Sequence, residues 1–110
     1  PIVIAQIENI RAVENLENIL KVPGLDAILI GPYDLSASMG LTGQFEVPEY
    51  MDILSNIKKL SKKFNIPYGI HVIQPDSIEL QAKITEGYQF IAYSIDSVFL
   101  YRGAECPTYK

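Results

Sequence analysis

The chain is poor in the residues and segments that define several protein classes. Its 110 residues contain one cysteine, Cys106, which excludes a disulfide framework and a cysteine-based zinc site. No apolar run approaches the roughly 18 residues that a membrane-spanning helix needs, and no signal peptide is visible at the start. We therefore expect no membrane partner, and a reducing, cytoplasmic location fits the single thiol.

Positive charge is also scarce. Nine Lys and Arg residues stand against 13 Asp and Glu residues, which gives a formal net charge of −4. This balance disfavours nucleic acid as a partner. The one basic cluster, formed by Lys58, Lys59, Lys62 and Lys63, fits the solvated face of a helix. Neither G-x-G-x-x-G nor G-x-x-x-x-G-K follows a predicted strand, which argues against a nucleotide-binding domain.

Apolar residues, by contrast, are abundant, at 48% of the chain, and they fall into four runs. Residues 2–7, 27–30, 66–73 and 89–95 read as strands, and longer helical patterns separate them. This alternation predicts an α/β fold with a parallel sheet. Four such units make half of a (β/α)8 barrel, and a small doubly wound sheet is the alternative. We expect residues 1–110 to form a single partial-barrel domain that is a fragment of a longer chain.

The helical patterns have clear starts, stops and buried faces. The first helix is predicted over residues 11–20, and Pro23-Gly24 stops it. The segment "SASMGLTGQ" is predicted to be a loop with a short helical turn. The next helix is predicted to begin at Pro48. Asp76 with Glu79 has the spacing of a capping box, and Gly87 suits the end of that helix. The expected buried residues are Val13, Leu16, Ile19 and Leu20 in the first helix and Met51, Leu54, Ile57 and Leu60 in the second.

Two carboxylates follow the first two predicted strands. Glu8 ends the first strand, and Asp34 follows the second after a Gly31-Pro32 turn. In parallel α/β folds ligands bind at the carboxyl ends of strands, so two acids there can share a divalent cation such as Mg²⁺ or Mn²⁺. The alternative is that Asp34, helped by Ser36, merely caps the helical turn that follows. Spacing alone leaves both interpretations open.

The same residues carry a family resemblance. "QIE" followed by "AVENLENILKVPGLDAILIGPYDLSASMGLTGQ" resembles the HpcH/HpaI type of class II, metal-dependent pyruvate aldolase. The resemblance extends from Gln6 through "GYQFIAYSIDS", and it corresponds to the carboxyl-terminal half of the family's barrel. It favours the metal interpretation of Glu8 and Asp34 over the capping one.

The resemblance implies a role for each matching residue. Glu8 and Asp34 would bind a divalent metal (Mg²⁺, Mn²⁺ or Co²⁺), and Gln6 would contact the bound 2-oxo acid. Tyr33 stands where the family uses a backbone amide to bind the substrate carboxylate. His71 lines the expected substrate pocket, where family members often carry an apolar residue. It could tune the choice of aldehyde or have an ordinary structural role.

The implied chemistry joins pyruvate to an aldehyde, or cleaves the product. The metal would chelate pyruvate and stabilise its enolate, with substrates of the 4-hydroxy-2-oxo-acid or 2-dehydro-3-deoxy-sugar-acid type. The family's basic His and its Arg lie in the amino-terminal half, and His71, Arg11 and Arg102 match neither. We therefore expect this chain alone to be inactive and its full-length parent to be a homo-oligomeric lyase. The alternative is a non-catalytic half-barrel that binds a metal or an oxo acid and needs a partner segment.

Overall fold

Four strands alternate with six helices in the computed structural model, which describes residues 1–104 and residue 107. Cys106 lies outside the described residues. None of the helices within residues 1–104 combines the length and the apolar composition that a bilayer crossing requires. In chain order the elements are β1 (Ile4–Ile7), α1 (Ile10–Glu14), α2 (Leu16–Leu20), β2 (Ala27–Ile30), α3 (Pro32–Ser38), α4 (Pro48–Phe64), β3 (Tyr68–Val72), α5 (Ser77–Thr85), β4 (Phe90–Tyr93) and α6 (Asp96–Gly103).

The strands lie side by side in chain order, β1-β2-β3-β4, and every pairing is parallel. A doubly wound sheet reverses its direction of growth at a switch point, whereas this sheet grows in one direction only. Four consecutive βα units arranged in this way are half of a (β/α)8 barrel. The half-barrel prediction is therefore confirmed, and the doubly wound alternative is wrong.

The two faces of the sheet are covered differently. Ile7, Ile30 and Ile70 point to the face on which the helices pack, and each is at most 3% exposed. Side chains alternate along a strand, so the intervening residues point to the opposite face, which would face the barrel axis. We call this the inner face; it comprises Ile4, Gln6, Ala27, Leu29, Gly69, His71, Phe90 and Ala92.

Phe90 fills the space above Gly69 on the inner face. A Cβ built on Gly69 would lie 2.5 Å from Phe90 Cε2 and 2.6 Å from the Phe90 backbone oxygen. Real Cβ atoms do not approach this closely, so only glycine fits opposite this ring. The pair therefore ties β3 to β4 through a contact that the sequence pattern did not reveal.

The first crossover helix is shorter and more broken than predicted. Asn9 caps α1, its Oδ1 accepting from the Arg11 backbone N–H at 3.0 Å. At Asn15 the helix is interrupted, and the Asn15 side chain accepts instead from Asn18 Nδ2 at 2.7 Å. Asparagine competes with helical backbone bonds in this manner. The expected buried face nonetheless forms, because Val13, Leu16 and Leu20 are buried and Ile19 packs against the core.

The buried face of α4 contains three of its four predicted residues, since Ile57 is buried and Leu54 and Leu60 pack against the core, but Met51 was predicted wrongly. Met51 is 55% exposed, whereas Tyr50 and Ser61 are buried together with Ile57. Tyr50 is drawn inward because its ring packs on Phe45, with 5.5 Å between the ring centroids. The apolar pattern allowed either Tyr50 or Met51 at this edge of the buried face, and the contact with Phe45 favours Tyr50.

The caps of α5 agree with the sequence. Asp76 Oδ1 accepts from the backbone N–H groups of Ile78 at 2.7 Å and Glu79 at 3.0 Å. These two bonds lower the pKa of Asp76, the bond from Glu79 most, and the charge of Arg102 lowers it further. Gly87 follows the helix with φ of 91°, a left-handed conformation that glycine adopts at little cost.

Candidate functional site

The two predicted metal ligands lie at the same end of neighbouring strands. Glu8 directly follows β1, and Asp34 lies in the first turn of α3, shortly after β2. Because β1 and β2 pair in parallel with Ile7 opposite Ile30, both acids lie at the carboxyl ends of their strands. Within the described residues neither carboxylate has an ion-pair partner. The region therefore carries two negative charges that no neighbouring cation compensates.

Gly31 provides the space in which the Glu8 carboxylate lies. A Cβ on Gly31 would be 3.2 Å from Glu8 Oε2 and 3.1 Å from Gln6 Nε2. Gln6 Nε2 donates to Glu8 Oε2 at 2.8 Å, so the amide holds that carboxylate over the glycine. The Gly31 backbone continues the ladder, donating its N–H to the Ile7 carbonyl at 3.1 Å. These three residues form the floor of the candidate site.

Asp34 is not the helix cap that the sequence allowed as an alternative. The N-cap of α3 is Gly31, Pro32 occupies the first turn, and no side chain caps this helix. Asp34 is exposed in the same turn. Ser36 is buried and holds the following loop, donating to the Tyr33 carbonyl at 2.9 Å and accepting from the Gly43 N–H at 3.0 Å. The short turn that was expected here is a seven-residue helix.

Tyr33 borders a cavity of about 300 Å³ between the ends of β2 and β3 and helices α4 and α5. Its ring makes an edge-on contact with Phe45 at 5.0 Å between centroids, and Phe45 in turn contacts Tyr50. Burial raises the pKa of Tyr50 to about 12, so its hydroxyl stays neutral at physiological pH. The remaining lining includes Pro32, Leu54, Ile70, His71, Ile73, Gln74, Glu79 and Lys83.

His71 is fixed at the end of β3 by a bond to the neighbouring strand. Its Nε2 lies 3.0 Å from the Ser94 carbonyl oxygen. Ser94 has φ of 60°, a left-handed conformation that costs a non-glycine residue about 1 kcal/mol. Its hydroxyl is buried and has no hydrogen-bond partner in the described part of the chain. Strained residues of this kind concentrate at functional sites, and nothing in the local sequence revealed this one.

Neither arginine forms an ion pair with Glu8 or Asp34 within the described residues. Arg11 is exposed on α1, and Arg102 belongs to α6 rather than to the tail in which the sequence had suggested it. Arg102 donates to Gln74 Oε1 at 2.8 Å, past the end of β3. A continuation of helical periodicity through "DSVFLYRG" was the only sequence signal for this placement.

The donor set suits a cation that needs few protein ligands. Residues 1–104 contain no cluster of three or more His, Cys, Asp or Glu side chains that could hold a metal. Two carboxylates remain, Glu8 and Asp34, and both are hard oxygen donors. Mg²⁺ and similar ions often bind through one or two carboxylates and complete their shell with water and substrate. The residues present therefore fit such an ion.

Comparisons with known proteins agree on one family. The chain is 40% identical over 98 residues to a hydroxypyruvate/pyruvate aldolase of Sagittula stellata, covering 88% of this chain and 38% of that protein. It is 36% identical over 107 residues to a 4-hydroxy-2-oxo-heptane-1,7-dioate aldolase of Salmonella paratyphi B, and the match covers 94% of this chain and 38% of that protein. The chain thus spans about two fifths of the length of these relatives.

Structure and family model give the same result. A crystal structure of an HpcH/HpaI aldolase/citrate lyase family protein from Burkholderia cenocepacia superimposes with a TM-score of 0.83 at 31% identity, covering 92% of this chain and 38% of that one. The family model described as HpcH/HpaI aldolase/citrate lyase matches residues 2–102. The resemblance stated from the sequence is therefore confirmed: the chain belongs to the HpcH/HpaI aldolase/citrate lyase family.

Proposed function

We propose that this chain is the metal- and oxo-acid-binding half of a divalent-metal-dependent aldolase. The reaction is carbon–carbon bond formation or cleavage between pyruvate and an aldehyde, with substrates of the 4-hydroxy-2-oxo-acid or 2-dehydro-3-deoxy-sugar-acid type. The observation that supports it best is the pair of uncompensated carboxylates, Glu8 and Asp34, at the ends of adjacent strands around Gly31. The chain covers 38% of its relatives' length, so we propose that residues 1–110 are one partial-barrel domain of a longer protein.

Each residue of the site has a distinct task in this proposal. Glu8 and Asp34 bind Mg²⁺, Mn²⁺ or Co²⁺, which when bound polarises a keto oxygen and stabilises negative charge on it. Gln6 orients Glu8 through its 2.8 Å bond and contacts the oxo acid. Tyr33 offers its backbone N–H to the substrate carboxylate, a role that any side chain permits.

The chain lacks residues that could transfer a proton to or from the substrate. His71 is its one histidine, and its Nε2 is engaged by the Ser94 carbonyl. Within the described residues neither Arg11 nor Arg102 forms an ion pair with the two acids. A general base typically raises the reaction rate 10²–10⁴-fold, and an oxyanion donor raises it roughly 10²–10³-fold. Without these two groups the chain alone has essentially no turnover. We propose that the complete protein is a cytoplasmic homo-oligomer and supplies these groups from its other half.

Metal binding tests the proposal directly. Titration calorimetry of the chain with Mn²⁺, with and without pyruvate, should show one site. Affinity should fall at least about tenfold in Glu8→Gln and in Asp34→Asn, since each removes a charged ligand. Glu14→Gln, which removes an exposed acid on α1, is the control and should leave the affinity unchanged. Absence of divalent-cation binding in the presence of pyruvate would refute the proposal.

Turnover then separates the enzyme from the non-catalytic alternative. The polypeptide encoded by the complete gene should cleave 4-hydroxy-2-oxo acids with Mg²⁺, Mn²⁺ or Co²⁺, whereas the 110-residue chain should not. If the complete polypeptide binds Mn²⁺ and pyruvate but cleaves none of these acids, the half-barrel is a binding module. Turnover by the isolated chain that is lost in His71→Ala would show that His71 is the base.

A further inference from the structure

The cavity beside Tyr33 is separate from the candidate metal site. Glu8, Gly31 and Asp34 all lie outside its lining. Ile70, which is buried on the helix side of the sheet, forms one wall, and helices α4 and α5 contribute others. A molecule in this cavity would therefore lie between the helices and the strand ends rather than between the two carboxylates.

The cavity has the size of a small-molecule site. Its volume is about 300 Å³. Small-molecule pockets occupy roughly 300–1,000 Å³, and an apolar cavity of about 150 Å³ holds a single benzene ring. The cavity is therefore large enough for about two fused rings and too small for a dinucleotide or a coenzyme.

Aromatic and aliphatic side chains form most of the lining. Tyr33, Phe45 and Tyr50 make a continuous row of rings, with centroid distances of 5.0 Å and 5.5 Å. Leu54 and Ile73 belong to the same lining. Aromatic rings make favourable edge-on and offset contacts with one another, beyond the effect of the area that they bury. The lining therefore favours a flat aromatic ligand over a flexible aliphatic one.

The charged residues of the lining are stabilised without a ligand. Lys83 is half-buried, and its Nζ lies 2.9 Å from Glu86 Oε1. Glu79 is exposed, so water solvates its carboxylate. A charged ligand would lose its hydration in the cavity without gaining a free counter-ion. These charges therefore favour a neutral ligand.

A polar group of the lining lacks a partner. The hydroxyl of Tyr50 is buried and makes no hydrogen bond within residues 1–104. A buried polar group without a partner carries a free-energy cost, which a ligand that bonds to it removes. A hydroxyl both donates and accepts hydrogen bonds, so a hydroxyl group on the ligand can pair with Tyr50 in either direction.

We propose that this cavity is a binding site for a small, neutral, hydroxylated aromatic molecule of up to about two rings, with the Tyr50 hydroxyl as its hydrogen-bond partner. Binding there needs neither the metal nor the oxo acid, so the proposal is independent of the proposed aldolase function. Tyr33 is common to both sites, because its side chain lines the cavity while its backbone N–H serves the oxo acid in the proposed function.

A matched pair of probes, 2-naphthol and 2-methylnaphthalene, tests the proposal. The two molecules have the same rings and differ by a hydroxyl in place of a methyl group. In NMR spectra of the chain without added metal, 2-naphthol should shift the methyl signals of Leu54, Ile70 and Ile73 saturably, because its rings lie against them. The methyl signals of Val13 and Leu20, which lie on α1 and α2, should not move.

Tyr50→Phe tests the hydrogen bond. The affinity for 2-naphthol, measured from these shifts, should fall about three- to tenfold, the equivalent of about 1 kcal/mol for one neutral hydrogen bond. The affinity for 2-methylnaphthalene should not fall, since that molecule makes no such bond. An equal change of the two affinities, or no change in either, would refute the assigned ligand class.

Two tryptophan substitutions on α4 test the location. Leu54→Trp fills the cavity and should abolish binding of both probes. Met51→Trp adds the same ring at an exposed position outside the cavity and should bind both probes as wild type does. Melting curves of the two variants establish that each is folded. Wild-type affinity in a folded Leu54→Trp chain would show that the probes bind elsewhere.

The remaining outcomes separate this proposal from the aldolase function. Mg²⁺ with pyruvate should not displace 2-naphthol. Displacement would show that the probe occupies the oxo-acid site, and the proposal of a separate site would then be wrong. If neither probe shifts the three lining methyl groups, the proposal is likewise wrong, and the Mn²⁺ titrations of the aldolase proposal are unaffected.

Discussion

Gly31→Ala perturbs the candidate site with a single methyl group. The backbone there, with φ of −97° and ψ of 95°, is open to alanine, so the substitution adds no backbone strain. The new Cβ would lie 3.1 Å from Glu8 Cβ and 3.2 Å from Glu8 Oε2. Ordinary van der Waals contacts of a Cβ atom begin at about 3.4 Å, so the side chains of Glu8 and Gln6 must move away by a few tenths of an ångström. The perturbation therefore acts on the carboxylate that we propose as a metal ligand.

The expected effects follow from that displacement. Overpacking typically costs 1–3 kcal/mol, and the partly exposed side chains here can move, so stability in urea should fall by about 1 kcal/mol. Changes in the residues that orient a metal ligand cost roughly 10–100-fold in affinity, so Mn²⁺ binding should weaken by about that factor. Calorimetry measures the affinity, and chemical denaturation measures the stability separately.

Gly103→Ala and a double-mutant cycle are the controls. A Cβ on Gly103 meets nothing within 4 Å, so that variant should bind Mn²⁺ normally. In a Glu8→Gln background, Gly31→Ala should weaken Mn²⁺ binding little further, because the ligand it displaces is already lost. Unchanged Mn²⁺ affinity in Gly31→Ala, or full additivity with Glu8→Gln, would refute the reasoning that Glu8 binds the metal over Gly31.

Three further substitutions test the packing of the fold. Gly69→Ala should destabilise the chain by about 3 kcal/mol in urea, because the Cβ would meet the Phe90 ring at 2.5 Å and its backbone oxygen at 2.6 Å; a loss under about 1 kcal/mol would contradict this. Tyr50→Phe should match or exceed wild-type stability at neutral pH, since it removes a buried hydroxyl without a partner among the described residues. The folded pKa of Tyr50, about 12, lies above the unfolded value near 10, so the contribution of the neutral hydroxyl to stability is complete below about pH 10. Between about pH 10 and 12 the wild type should lose about 1.4 kcal/mol of stability per pH unit relative to the variant. A constant difference in stability from neutrality to about pH 11 would be inconsistent with this. Asp76→Ala should destabilise α5 at neutral pH, because it removes the cap. Since the folded pKa of Asp76 is lowered, the difference in stability between wild type and variant should be full above the unfolded pKa near 4 and should disappear as the pH falls through the folded pKa. Melting curves recorded as a function of pH would measure this difference.

Short-range patterns in the sequence were sufficient for the parallel α/β class, and the strand order of the structure decided for the half-barrel over the doubly wound sheet. Apolar runs, helix caps and the Gly87 stop are local features, and each acts within a few residues of its own position. Their alternation implied a parallel sheet, and a parallel sheet brings the ends of all its strands to one edge. For this reason Glu8 and Asp34 could be predicted to share one site although they lie 26 positions apart in the chain. The same logic could not determine whether their carboxylates share a cation.

Tertiary contacts decided what local patterns left open. Periodicity fitted Met51 as well as Tyr50 to the buried face of α4, and only packing on Phe45 selected Tyr50. The bond from His71 to Ser94 joins residues 23 positions apart and depends on a left-handed backbone that no local signal required. The bond from Arg102 to Gln74 spans 28 positions. Side-chain direction and partner choice depend on which atoms the completed sheet brings together, so they become definite only when the strands have paired.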